Sequence, residues 1–115
     1  MYLLVVECKI EYEWSKSLKE QRNAKNSLVE KLKKNFNLNI SEVGLMDNFK
    51  ILNLGISLVN GNMDLLRNLE SKIRDFIEVN SKGNLFYYNS AIIDWSWEQW
   101  KKKLERRNLK PKYCI

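Results

Sequence analysis

The sequence predicts an α+β fold in which two amphipathic helices cover one face of a four-stranded antiparallel sheet. Two observations carry the prediction. Four segments have the alternating or β-branched pattern of strands, two longer segments have the period of helices, and they follow one another as βαββαβ. The chain has 115 residues, 44% of them hydrophobic, which suits one domain and is too apolar for a disordered chain.

The first half of the chain predicts a strand, a helix and a second strand. Residues 2–12 alternate, which is typical of a half-buried strand with inward side chains at Leu4, Val6, Cys8, Ile10 and Tyr12. Ser17 followed by Glu20 fits a capping box, so a helix is expected from about Leu18 to Asn35. Its apolar side would hold Leu18, Leu28, Leu32 and Phe36, with Ala24 and Val29 alongside. Residues 38–45 predict the second strand.

The second half predicts a strand, a helix and a last strand. Residues 49–59 alternate, with Leu52, Leu54, Ile56 and Leu58 on the core face. The break at residues 60–62 starts a helix expected to reach about Val79, with its apolar side formed by Leu65, Leu66, Leu69, Ile73, Phe76 and Ile77. Residues 85–97 are aromatic and β-branched, which favours a fourth strand. Right-handed crossover connections then favour the ferredoxin-like arrangement of these elements.

The positive charge of the chain is concentrated at its C-terminal end. The chain carries 20 basic and 14 acidic residues, for a formal charge of +6, and residues 98–115 hold seven of the bases but only two of the acids. We therefore divide the chain into a ferredoxin-like domain at residues 1–97 and a basic C-terminal extension at residues 98–115, whose first part is expected to be helical. Such an extension indicates either a polyanionic partner or a solvated surface.

Composition argues against several classes of function. The absence of histidine removes His-based acid–base catalysis and the commonest metal ligand. Cys8 and Cys114 form no Cys-x-x-Cys pair, and the chain shows no export signal or membrane span, so a cytoplasmic location is expected. The carboxylates Glu42 and Asp47 are more simply surface and turn residues than a catalytic pair. The sequence therefore predicts a non-enzyme with no catalytic residue, cofactor or metal.

Several motifs resemble those of the YlxP-like family, a family of small bacterial proteins of unknown function. They are Ser17-Leu18-Lys19-Glu20-Gln21-Arg22, Ser41-Glu42-Val43, Asp47, Phe49 and Leu54-Gly55-Ile56, spaced as in the family over residues 1–95. Gln21 replaces a family Lys, and Phe49 replaces a family Trp. The resemblance implies a ferredoxin-like fold, a dimer and a bacterial cytosolic setting. It also implies a role near the ribosome, because the family's genes often lie beside those for translation initiation and ribosome maturation, but it implies no activity.

The start of the first helix and the open face of the sheet are two candidate contact surfaces. Free N–H groups at the helix start, with Lys19 and Arg22, would favour an anion, but Glu20 competes at the same end and an ordinary capped helix is the simpler interpretation. The open face lacks the aromatic pattern with which RNA-recognition motifs stack bases. Its apolar residues predict instead a homodimer in which a second copy covers this face.

The C-terminal extension is the third candidate surface. Trp97, Trp100 and Leu104 have helical spacing among many bases. Such a helix could bind RNA through its bases and aromatic rings, or lie in a membrane interface, for which three apolar residues are a weak anchor. Its tryptophans could instead pack on the body of the protein or on a partner subunit. We expect packing for Trp95 and Trp97 and RNA for the bases. The predicted nucleic-acid-binding residues are Lys19, Arg22, Trp100, Lys101, Lys102, Lys103, Arg106, Arg107, Lys110 and Lys112.

These observations lead to three hypotheses for the function. The first is a non-enzymatic RNA- or ribosome-associated factor that binds through the first helix and the extension. The second is a protein-interacting or structural homodimer whose charge only aids solubility. The third is an enzyme whose site the sequence does not reveal, which a pocket lined by carboxylates with perturbed pKa values would indicate.

Overall fold

Seven helices and strands follow one another in the part of the chain that the structure describes. The structure, a computed structural model, describes residues 1–44 and 48–108. The strands are β1 (Tyr2–Glu11), β2 (Asn39–Glu42), β3 (Ile51–Asn60) and β4 (Asn84–Asp94), and the helices are α1 (Leu18–Asn35), α2 (Met63–Asn80) and α3 (Trp97–Arg106). The predicted βαββαβ order with a further C-terminal helix is confirmed.

The four strands form one antiparallel sheet in the order β2-β3-β1-β4. β1 therefore lies inside the sheet, where Leu3 is opposite Val59 of β3 on one side and Ile93 of β4 on the other. The β1–β4 pairing is regular except between Lys9 and Ile10, where β4 contains one extra residue, Phe86. This strand order, with α1 and α2 as the crossover connections, is the ferredoxin-like arrangement that the sequence predicts.

α1 and α2 cover the same face of the sheet and enclose a single core. The inward side chains of β1 and β3 that the alternation predicts are confirmed, and those of β1 are at most 1% exposed. The helices contribute Ala24, Leu28, Leu32, Leu66, Ile73 and Ile77. Burial of a large aliphatic side chain is worth about 1.5–3 kcal/mol relative to exposure, so this layer accounts for most of the stabilisation of the fold.

Local capping explains where the two crossover helices begin. The Ser17 hydroxyl accepts a hydrogen bond from the Glu20 N–H at 3.2 Å, and the Glu20 carboxylate accepts one from the Lys16 N–H at 2.7 Å. The Asn62 side-chain oxygen accepts a hydrogen bond from the Leu65 N–H at 3.2 Å. These bonds satisfy backbone donors that the first helical turn leaves free, so both helix starts are encoded locally.

Four details differ from the predictions. β2 is confined to Asn39–Glu42, and β4 ends at Asp94 because Ser96 caps the next helix. Leu65, which we expected on the apolar side of α2, is 42% exposed because Leu66 takes the inward position. Gln21, which was not expected in the core, is buried because its amide donates a hydrogen bond to the carbonyl of Asn48.

Two tyrosines, the buried Tyr12 and the half-buried Tyr88, give a first test of the core. The Tyr12 hydroxyl is enclosed without a hydrogen-bond partner among the described residues, whereas the Tyr88 hydroxyl donates to the Glu70 carbonyl at 3.2 Å. We expect Tyr12→Phe to leave the free energy of unfolding unchanged or to raise it, and Tyr88→Phe to lower it by about 1 kcal/mol. Urea unfolding monitored by circular dichroism measures both values. A larger loss for Tyr12→Phe than for Tyr88→Phe would contradict this account.

Two glycines give a second test, because one is enclosed and the other is open. A Cβ at Gly83 would lie 2.7 Å from the Glu11 carbonyl oxygen and 2.8 Å from side-chain atoms of Ile10 and Tyr12, whereas a Cβ at Gly61 would meet nothing within 4 Å. We expect Gly83→Ala to destabilise the protein by about 1–3 kcal/mol because backbone and core must shift. Gly61→Ala is the matched control, expected to be neutral or stabilising by up to about 1 kcal/mol. Scanning calorimetry that ranks the two substitutions in the opposite order would refute the packing described around Gly83.

Candidate nucleic-acid interface

α3 begins where the hydrogen-bonded ladder between β1 and β4 ends. The Met1 amino group donates to the Trp95 carbonyl at 3.0 Å, and the Trp95 N–H donates to the Met1 carbonyl at 2.9 Å. The next residue, Ser96, caps the helix, because its hydroxyl accepts a hydrogen bond from the Glu98 N–H at 3.1 Å. The ladder thus holds the start of α3 beside the N-terminal end of β1.

α3 projects from the body instead of packing on it. None of its residues is buried, and it makes no extensive contact with α1, α2 or the sheet. The molecule measures 56 × 28 × 21 Å, and its radius of gyration of 17.8 Å exceeds the value of about 13 Å typical of a compact domain of this length. Both sides of the helix are therefore accessible to a partner.

An exposed aromatic stripe, which we define as Trp95, Trp97 and Trp100, runs from the end of β4 onto α3. The three side chains are 49%, 48% and 40% exposed, and the ring centroids of Trp95 and Trp100 are 6.3 Å apart. The prediction that Trp95 and Trp97 pack on the body is therefore wrong for this chain, while their packing on a partner subunit stays a prediction. The exposed rings offer flat apolar surfaces on which planar groups can stack.

Trp95 joins this exposed stripe although it is not among the predicted contact residues, and the sequence contains a signal for its position. Ala91 and Ile93 are on the open face of β4, opposite Val5 and Leu3 of β1. The alternation continues to Trp95, since Met1 and Trp95 extend the same register. Side chains of a strand alternate between its two faces, so Trp95, two residues after Ile93, is expected on the same open face, beside the start of α3.

Basic side chains border the aromatic stripe. With 3.6 residues per turn, Lys101 lies along one edge of the Trp97–Trp100 side, and Lys103 and Arg107 lie along the other. Lys102 and Arg106 lie on the opposite side of α3. The acidic residues Glu98 and Glu105 share a separate side, and within residues 1–44 and 48–108 none of the five bases forms an ion pair. Among the described residues, the positive charge beside the exposed rings therefore has no ion-pair partner.

The other predicted contact residues do not join this surface. Lys19 and Arg22 lie in the first turns of α1, which follows the C-terminal end of β1, whereas α3 starts at the N-terminal end. A strand of ten residues spans about 33 Å, so the two groups lie at opposite ends of the molecule. Lys110 and Lys112 lie outside the described residues. The structure brings Trp100 together with Lys101, Lys102, Lys103, Arg106 and Arg107, and separates them from Lys19 and Arg22.

The open face of the sheet is polar at its centre. Glu7, Ser57 and Asn89 form its middle rows, while the apolar residues lie towards the two ends of the strands. Its aromatic side chains are on the edge strand β4, where the ammonium group of Lys9 lies 5.1 Å from the centroid of the Tyr87 ring. The open faces of the inner strands β1 and β3 carry no aromatic residue, so base stacking on the sheet is still disfavoured.

The titratable groups with shifted pKa values lie in the core. Burial raises the pKa of Cys8 to about 12 and also raises the pKa of Tyr12 and of Tyr88. Glu42 forms an ion pair with Lys25 at 3.4 Å, and Asp47 lies outside the described residues. Across the described ranges, no three Asp, Glu or Cys side chains are grouped so that they could hold a metal ion. These shifts therefore bear on stability and place no acid–base pair at the surface of α3.

The described helices include none that combines the length and the apolar character required to cross a membrane. The fold and the site together define a ferredoxin-like α+β protein that carries an exposed basic and aromatic helix. Residues 3–89 match the family described as "Protein of unknown function (DUF503)", and the chain belongs to that family. The match extends from β1 into β4 and leaves α3 outside, so the family assignment covers the body and not the candidate interface.

Comparison with other proteins adds no functional assignment. No curated protein matches this sequence. Two de novo designed proteins resemble the structure. Foldit4 is 13% identical, with 82% of this chain and 99% of that chain covered and a TM-score of 0.46. LFR1 1, described as having a ferredoxin fold, is 15% identical, with 84% and 94% covered and a TM-score of 0.44.

Because the Cys8 thiol is buried, we expect the folded protein to lose stability at alkaline pH. The pKa of Cys8 is about 12 in the folded chain against an ordinary value of 9.0, because burial disfavours the thiolate. The resulting stability is complete below about pH 9 and is lost as the pH rises towards about 12, by about 1.4 kcal/mol per pH unit. The raised pKa values of Tyr12 and Tyr88 act in the same direction at higher pH.

Urea unfolding at a series of pH values measures this dependence. Cys8→Ala is the informative variant, because it lowers stability at every pH but removes the part of the slope that begins near pH 9. Equal slopes for the native chain and Cys8→Ala between about pH 9 and pH 10 would show that the thiol is not the cause.

Proposed function

We propose that this protein is a non-enzymatic RNA-binding factor and that α3 with Trp95 forms its RNA contact. The observation that carries the proposal is the combination, on one projecting helix and its C-cap Arg107, of half-exposed tryptophans with five bases that form no ion pair among the described residues. Half-exposed apolar rings on a helix with no fully buried residue leave an apolar surface that a partner would cover. Nucleic acid matches both features, since its bases stack on aromatic rings and its phosphates attract cations.

The geometry favours single-stranded RNA. A tryptophan ring stacks on an unpaired base, whereas the bases of a duplex are stacked on one another and inaccessible. The ten residues of α3 span about 15 Å, which limits direct contact to a few nucleotides. Stacking contributes about 1–3 kcal/mol per base, so the site is expected to bind short unpaired segments with modest affinity.

The setting of this activity is also a proposal. The resemblance to the YlxP-like family, whose genes often lie beside those for translation initiation and ribosome maturation, supports a bacterial cytoplasmic protein that acts near the ribosome. Unpaired loops of ribosomal RNA would offer the single-stranded segments that suit α3. The four bases on α3 and Arg107 at its C-cap would also strengthen binding to a particle that is itself highly anionic.

A second candidate is a protein-interacting or structural homodimer with no role in nucleic-acid binding. The observation that favours it is the exposed apolar group at the α3 end of the open sheet face, where Val5, Val59 and Ile93 are 38%, 58% and 44% exposed. Contiguous apolar surface of this kind often marks a protein contact. The polar centre of the same face argues against a contact that covers it completely, because Glu7 and Lys9 would be buried with it.

Fluorescence anisotropy with a labelled single-stranded RNA tests the first proposal. Between about 50 and 200 mM salt we expect log K to fall against log salt with a slope of about −3, as for four to five phosphate contacts. The test variant changes Lys101, Lys102, Lys103, Arg106 and Arg107 to Gln and should lose most of the slope. The matched control changes five exposed bases on or beside α1 to Gln, at Lys16, Lys19, Lys31, Lys33 and Lys34, and should keep it.

The stacking part of the proposal has its own test. A Trp97→Ala, Trp100→Ala double variant should bind at least about 10-fold more weakly, with an unchanged salt slope, because it loses stacked bases but no phosphate contact. Since no residue of α3 is buried, the body should unfold as in the native chain. Absence of binding at low salt, or an equal loss in the α1 control, would refute α3 as an RNA contact.

A further inference from the structure

Two exposed tryptophan rings are close to parallel at the point where β4 ends and α3 begins. The planes of the Trp95 and Trp100 rings are inclined by 31°, and their centroids are 6.3 Å apart. By contrast, the rings of Phe36 and Phe76, which pack between α1 and α2, meet at 90° with centroids 5.5 Å apart. Edge-to-face contact of that kind is typical of rings that pack on each other. The wider and more nearly parallel tryptophan pair instead leaves ring faces open to a ligand.

A narrow cleft is lined by both of these rings. Its lining residues are Trp95, Ser96, Gln99, Trp100 and Lys103, and its volume is about 20 Å³, enough for one water-sized group. Gln99, Trp100 and Lys103 follow Ser96 by three, four and seven positions, so they share one side of α3. The cleft therefore combines two apolar rings with a side-chain amide and an ammonium group.

The spacing of the two rings suits the insertion of one further aromatic ring. Stacked bases of a nucleic-acid strand are about 3.4 Å apart, so a base held between two rings requires about 6.8 Å between them. The centroids of Trp95 and Trp100 are roughly 0.5 Å closer than this. Because the two side chains are 49% and 40% exposed, one ring can rotate to widen the cleft without disturbing the core.

The backbone on both sides of the cleft is held in place by hydrogen bonds. Trp95 is tied to the end of β1, because its N–H and its carbonyl both bond to Met1. The Trp100 N–H donates to the Ser96 carbonyl at 3.3 Å, and the Ser96 hydroxyl caps the same helical turn. Both tryptophans are therefore positioned before a ligand binds, which lowers the entropy that binding costs.

The side chains at the cleft favour a purine, and adenine in particular. A purine has two fused rings and covers more of each indole than a pyrimidine does, so it stacks more strongly. The exposed Gln99 amide offers both a donor and an acceptor, which is the combination that pairs with N6 and N7 of adenine. Lys103 supplies positive charge for the phosphate of the same nucleotide.

We propose that Trp95 and Trp100 clamp one unpaired adenine of the RNA, with the Gln99 amide on the edge of the base and Lys103 at its phosphate. This inference rests on the proposed RNA-binding function and adds a sequence preference at one nucleotide. Trp97 lies outside the cleft and stacks a neighbouring base without that preference. Charge and exposed rings without a clamp would bind all unpaired sequences alike.

Two RNA heptanucleotides test the clamp, one of seven uridines and one with a single central adenosine. At about 100 mM salt, fluorescence anisotropy should show that the native chain binds the adenosine strand at least about 5-fold more tightly. Trp95→Ala should remove this difference. Trp97→Ala is the matched control, since Trp97 is as exposed as Trp95 but outside the cleft, and should weaken binding to both strands while keeping their ratio. Circular dichroism checks that both variants keep the native helix content.

A change in the RNA tests the contact made by Gln99. Purine riboside in place of the central adenosine lacks the N6 amino group but keeps the stacking surface. The native chain should bind this strand about 5-fold more weakly than the adenosine strand, whereas Gln99→Ala should bind the two strands equally. If Gln99→Ala discriminated between them as the native chain does, the assignment of the amide to the base edge would be wrong.

The outcomes distinguish the clamp from the proposed function itself. If the native chain bound both heptanucleotides equally and kept its salt slope, the clamp would be refuted and α3 would remain an RNA contact without sequence preference. A preference that survives Trp95→Ala but is lost in Trp97→Ala would also overturn the clamp, because the adenine would then stack on the outer ring. Binding to neither strand at low salt would refute both proposals.

Discussion

The inward side of β1 is the constraint on which the rest of the fold depends. β1 pairs with β3 on one side and β4 on the other, and its buried residues from Leu4 to Ile10 lie under both crossover helices. If the register of either pairing shifted by one residue, the charged side chains of Glu7 and Lys9 would face the core. Removing these charges from water would cost a large desolvation free energy. The alternation of β1 therefore fixes the face that the helices cover, and with it the register of its neighbours.

The same register determines where the proposed RNA contact lies. The hydrogen bonds between Met1 and Trp95 end the ladder beside the start of α3, so the aromatic stripe and its bases lie at one end of the sheet. They also fix the alternation of β4, which directs the free backbone groups of Tyr88, Ser90 and Ile92 outward.

Features encoded by near neighbours in the chain could be predicted from the sequence. The bounds of α1 are as predicted because Ser17 and Glu20 provide the cap locally, and the inward faces of β1 and β3 follow from an alternation of two. Predictions that depended on distant parts of the chain were less accurate. Gln21 is buried because it reaches the carbonyl of Asn48, and the sequence contains no local sign of that contact.

The sequence by itself determined that the chain forms a βαββαβ sheet with a basic, tryptophan-containing helix at its end, since period, capping and charge are properties of neighbouring residues. Tertiary structure decided which bases share a surface. Lys19 and the bases of α3 were predicted to bind together, but they lie at opposite ends of β1 because α1 starts where that strand finishes. The tertiary structure also leaves Trp95 and Trp97 half-exposed. Their burial depends on the direction in which α3 extends from the end of the β1–β4 pairing, which the types of its residues do not determine.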